Sequence, residues 1–88
     1  MSKIEIKFEF DFGENRSFTN EFTKEQLCSL LEIINVGGRK KMNNCCFHSN
    51  GNNLSYSASK MNGKKYELKR NSVKNEIISK LRRYGHSC

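Results

Sequence analysis

"KIEIKFEFDF", residues 3 to 12, alternates without a break: Ile4, Ile6, Phe8, Phe10 and Phe12 share one parity, and Lys3, Glu5, Lys7, Glu9 and Asp11 share the other. Successive side chains of a strand point to opposite faces, so this is the pattern of a half-buried β-strand. One face of such a strand must be covered, and the segments that follow supply the cover. "GENR" provides turn residues before "SFTNEF", a weaker strand over 17–22 in which Phe18 and Phe22 share a parity and Asn20 interrupts the apolar face. Thr23 and Gln26 stand at capping-box spacing, with Phe22 placed to staple onto the first turn. Leu27, Leu30, Leu31 and Ile34 then line one face of a helix over 23–35, which Gly37-Gly38 stops.

The second half continues the alternation of layers. "RKKMNN" reads as a basic loop, "CCFH" as a short strand over 44–48, and "NGNN" as a turn, because Asn and Gly tolerate positive φ. A hairpin is expected over 54–70, with Leu54, Tyr56, Ala58, Tyr66 and Leu68 inward and Ser55, Ser57, Ser59, Lys65, Glu67 and Lys69 outward. A two-residue Asn62-Gly63 turn would set the apolar residues of its two strands on opposite faces. A three-residue loop, Met61 to Gly63, pairs Ala58 with Tyr66 and Tyr56 with Leu68 and is the expected register. Capped by Asn71 or Ser72, a final helix over 72–84 carries Val73, Ile77, Leu81 and Tyr84 in one stripe and ends at Gly85.

This order predicts an α+β fold, a two-layer sandwich of a mostly antiparallel sheet with two amphipathic helices on one face. From the first helix onward the order helix-strand-strand-strand-helix resembles that of double-stranded RNA-binding domains, although their loop histidine and helix-start lysine signatures are missing here. With 88 residues the chain fits a single domain. No window approaches the roughly 20 apolar residues of a membrane span, and the first twelve residues lack a signal-peptide core, so a cytoplasmic protein is expected, in the host cytoplasm if the gene is viral. Cys28 falls inside a helical pattern, Cys45 and Cys46 are neighbours, and Cys88 is terminal; reduced thiols are the simplest expectation.

Charge separates the two halves. Residues 1–35 hold four Lys/Arg against seven Asp/Glu, a balance of −3, and the remainder hold twelve against two, a balance of +10. A uniform solubility charge does not require such a split, which favours a two-sided molecule with a positive surface able to attract a polyanion or an acidic protein. The basic residues cluster in "GGRKK", "KKYELKR" and "KLRR", which makes Arg39, Lys40, Lys41, Lys65, Lys69, Arg70, Arg82 and Arg83 candidate phosphate contacts, with Ser55 and Ser57 as hydroxyl donors between them. With Tyr56 and Tyr66 turned inward, backbone or shape readout is favoured over base stacking.

Catalytic and metal chemistry have thinner support. Cys45, His48, His86 and Cys88 make an arithmetically complete zinc set, but at spacing poor for a structural knuckle, and no cofactor is expected. Cys46 with His48, and Asn50 or Asn53 to orient it, holds the residue types of a thiol nucleophile, without an elbow or helix amino terminus to activate it. Gly37-Gly38 ends a helix and does not open one, so no phosphate-cradling loop is present. The expectation is therefore a small basic nucleic-acid-binding domain, a monomer or weak homodimer through the edge of its first strand. The alternative is a protein-interaction module, such as a phage or mobile-element inhibitor that docks on an acidic surface of a nucleic-acid-processing protein.

Overall fold

A computed structural model describes residues 3–11, 17–42, 45–58 and 65–88. Two helices pack against a mostly antiparallel sheet. Strand β1 (Ile4–Glu9) buries Ile4, Ile6 and Phe8 on alternate positions. It pairs antiparallel with β2 (Ser17–Phe22), with Phe8 opposite Phe18 and Ile4 opposite Phe22. Asn20, opposite Ile6, keeps its place near the core because its Nδ2 donates to Cys45 Sγ at 3.6 Å and its Oδ1 accepts from the Glu21 amide at 2.8 Å. Phe12, the "GENR" turn and Asn43–Asn44 lie outside the described residues.

Thr23 caps helix α1 (Lys24–Val36) as its spacing predicts. Its Oγ1 accepts from the Gln26 amide at 3.2 Å, and Gln26 Oε1 accepts from the Thr23 amide at 2.9 Å. The buried face is Leu27, Leu30, Ile33 and Ile34, with Leu31 at its margin. Gly37 ends the helix at φ 95°, and a Cβ there would lie 3.3 Å from Ser49 O and Asn50 C; both demands select glycine.

"GRKKM" departs from the expected loop. It forms β3 (Gly38–Met42), the edge strand of a four-stranded antiparallel sheet ordered β3-β4-β5-β6, with β4 (Cys45–Ser49), β5 (Ser55–Ala58) and β6 (Tyr66–Glu67). Only Met42 of β3 is buried, so the strand carries no alternation that its sequence could reveal. Three consecutive cations on an edge also discourage pairing with a second chain. The Asn-rich turn between β4 and β5 forms as expected: Asn50 Oδ1 accepts from the amides of Asn52 and Asn53 at 2.9 and 3.1 Å, and Ser49 Oγ accepts from that of Gly51 at 3.0 Å.

In the last hairpin the parity is as expected and the register is not. Tyr56 pairs with Tyr66 and Ser55 with Glu67, two residues away from the predicted pairing. Leu68 is engaged elsewhere: it bridges Phe10 at the end of β1 and donates its amide to Leu54 O at 2.9 Å. Asp11 N to Glu67 O and Lys69 N to Glu9 O, both 2.9 Å, complete the junction between the β1–β2 ribbon and the four-stranded sheet. A competing strand on the far side of β6 thus sets the register; the Met61–Gly63 loop lies outside the described residues.

Helix α2 (Arg70–Arg83) begins two residues before the predicted start, with Lys69 rather than Asn71 or Ser72 at its N-cap and no side-chain capping bond, and buries Val73, Ile77 and Leu81. Tyr84, expected inward, is 55% exposed because the helix ends there. The amide of Gly85 bonds Arg82 O at 3.0 Å and that of His86 bonds Leu81 O at 2.8 Å, a Schellman turn with Gly85 at φ 74°. This turn reverses the tail. Cys88 thereby meets Cys28 on α1 in a disulfide, which overturns the expectation of four reduced thiols. Sixty residues separate the two in sequence, and only the folded tail brings them together.

The core joins these layers through aromatic rings. Phe8 lies 4.8 Å from Phe18, 5.3 Å from Phe47 and 5.8 Å from Phe22, and Phe18 lies 4.4 Å from Tyr56. Among the described residues no helix is long and apolar enough to cross a membrane.

Candidate nucleic-acid interface

The strand register dictates what stands on the solvent face of the four-stranded sheet. Residues directly opposite each other in antiparallel strands project to the same side. One transverse row therefore runs Arg39, His48, Ser55, Glu67; the next runs Lys41, Cys46, Ser57. The other parity, Cys45, Phe47, Ser49, Leu54 and Tyr56, is buried. Arg39, Cys46, His48, Ser55, Ser57 and Lys65 line a cavity of about 190 Å³ on this face, and Tyr56, whose ring packs inward on Phe18 and Phe47, adds to its floor.

The candidate cations divide into groups. Arg39, Lys41 and Lys65 are exposed and belong to this face. Lys40 is exposed but pairs with Phe47, so it stands on the opposite pleat at the sheet edge. Lys69 forms an ion pair with Glu9 at 3.6 Å, both half exposed. Arg70 turns into the molecule: its Nε and Nη2 donate to Ile34 O at 3.1 and 3.0 Å, and its Nη1 donates to Asn71 Oδ1 at 3.0 Å. Arg82 and Arg83 are exposed in the last turn of α2, where Arg82 borders a separate cavity with Leu31, His86 and Cys88. The fold thus assembles three of the eight cations on one surface and employs two others in internal contacts.

The serines also differ from expectation. Ser57 is half-buried and lines the cavity, but Ser55 is only 7% exposed and its Oγ donates to Glu67 Oε1 at 3.2 Å. That bond occupies the hydroxyl expected to meet phosphate and fixes the carboxylate of Glu67 at the β6 end of the face.

The four residues of the zinc set are not brought together. Cys88 is bridged to Cys28, Cys45 is buried, and His48 stands on the opposite pleat from Cys45. No group of three or more His, Cys, Asp or Glu side chains suited to a metal occurs among the described residues. Cys45 Sγ instead lies 3.9 Å from Tyr56 Oη. Burial, followed by that contact and by the nearby Cys45 and Tyr66 charges, pushes the Tyr56 hydroxyl up to about 12.

Comparison of the chain with protein-family models, with curated proteins and with solved structures finds no match. Cys46 and His48 are the cavity residues that the basic-patch pattern missed. The signal for them was present in the alternation of "CCFHS", which puts Cys46 and His48 on one side and Cys45, Phe47 and Ser49 on the other.

Proposed function

We propose that the solvent face of the β3–β6 sheet binds the phosphate backbone of nucleic acid without reading its bases. The row Lys41, Cys46, Ser57, extended by Lys65 at the cavity, carries this reading: two cations and a hydroxyl in one line, with no carboxylate among them. Arg39 lies in the adjacent row. Phosphate contacts need donors of this kind and little else. Register turns the Phe and Tyr of these strands to the inner parity, with Tyr56 reaching only the floor of the cavity, which favours backbone contact over stacking on those rings. A cytoplasmic setting, a host's if the gene is viral, goes with this role. In reducing surroundings Cys28 and Cys88 would stand as thiols, and neither lies on the proposed face.

The test is a titration of fluorescent single- and double-stranded DNA and RNA at about 50 and 200 mM salt. Three phosphate contacts, from Arg39, Lys41 and Lys65, predict a loss of roughly fortyfold in affinity across that range, with little dependence on sequence. Lys41→Glu should weaken binding and flatten the salt dependence while circular dichroism stays unchanged. Absence of binding at the lower salt would overturn the proposal and turn the same cations toward an acidic protein surface, such as that of a nucleic-acid-processing enzyme which this protein would inhibit.

A further inference from the structure

Strands β3 and β6 stand three strand spacings apart, about 14 Å between backbones. Arg39 on β3 and Lys65 at the entry to β6 nevertheless line one cavity that lies over β4 and β5. Between them stand His48, Ser57 and the Cys46 thiol, and among the described residues no carboxylate lines the space. Glu67, the acid of this face, is held to one side by Ser55. A volume of about 190 Å³ falls below the roughly 300 Å³ at which whole small-molecule ligands begin to be enclosed, which suits a single group of a larger ligand. An arginine and a lysine bordering one cavity, together with a serine hydroxyl, supply the donors that suit a tetrahedral oxyanion.

We infer that this cavity seats one phosphate of the bound nucleic acid, clamped between Arg39 and Lys65. The inference rests on the backbone-binding reading and adds a discrete site to it. A phosphate in the cavity covers Cys46. Of the four cysteines, Cys46 alone is both unbridged and open to solvent, because Cys45 is buried and the other two are joined.

Cys46 is therefore a built-in reporter. The rate of its alkylation by iodoacetamide, an uncharged reagent, is followed by mass spectrometry in the free protein, with inorganic phosphate, and with a short DNA duplex. Both additions should slow alkylation severalfold. Lys65→Ala and Arg39→Ala, each the truncation of an exposed side chain, should each raise the phosphate concentration needed for protection about tenfold, the usual cost of one charge-assisted contact. Lys40→Ala, on the other pleat, should leave it unchanged. If the duplex binds with the expected salt dependence but Cys46 reacts at its unprotected rate, the clamped site is refuted and the backbone-binding face survives. If the duplex does not bind and phosphate gives no protection, both fall.

Discussion

Tyr56 shows how one side chain couples the core to solution conditions. Its ring packs against Phe18 and Phe47, and its hydroxyl ionises only near 12, against an ordinary 10, chiefly because burial disfavours the phenolate. A folded-state value raised above the unfolded one contributes stability that is fully present below pH 10 and is lost as pH rises through 12. Part of the tyrosine absorbance change near 295 nm should accordingly appear only above pH 11, together with unfolding, and Tyr56→Phe should abolish that late phase. An absorbance change complete before unfolding begins would refute the assignment. The inward direction of Tyr56 is legible in "LSYSA", since period-two alternation fixes parity. Its thiol neighbour is not, because Cys45 comes from another strand.

At the scale of the element, local signals and long-range contacts separate cleanly. The cap and apolar face of α1 could be read from Thr23, Gln26 and the leucine spacing, and the first strand from its alternation, because those patterns are made by neighbours in sequence. Strand β3 could not: glycine and lysine are poor strand formers, and "GRKKM" becomes a strand by pairing with β4. Arg70 is the sharper case. Helix α1 has no basic residue in its last turn, and Arg70, the first residue of α2, supplies the missing cation across 36 positions of sequence by donating twice to Ile34 O. Its place in "KKYELKR" groups it with candidate phosphate ligands; the fold makes it a helix cap. Arg70→Ala should cost about 1 to 2 kcal/mol in urea unfolding, low in the range for a charged donor because Arg70 is only partly buried, and should leave the salt dependence of nucleic-acid binding intact. Arg39→Ala should do the reverse.

For the molecule as a whole, the mixed α+β class followed from counting covered faces, while two long-range features stayed out of sight. One is the junction of β6 with β1, which moved the hairpin register by two residues. The other is the Cys28–Cys88 bridge, visible only once the Schellman turn has returned the tail to α1. A chain of this size has a total stability of about 4 to 13 kcal/mol. Closing a loop of this length restricts the unfolded chain by up to about 4 kcal/mol. Cys28→Ser should therefore lower stability by about 2 to 4 kcal/mol, and reductant should reproduce the loss in the wild type without further effect on the variant. Equal urea midpoints for oxidised and reduced protein would refute this. The same bridge divides the molecule mechanically. In a chain pulled by residues 1 and 88, tension passes from residue 28 straight to residue 88, so β3 to β6 and α2 lie inside a covalent ring that bears none of it. The oxidised chain extends to a contour of about 100 Å and the reduced one to about 300 Å, so a force trace reads the redox state of the tail as a length.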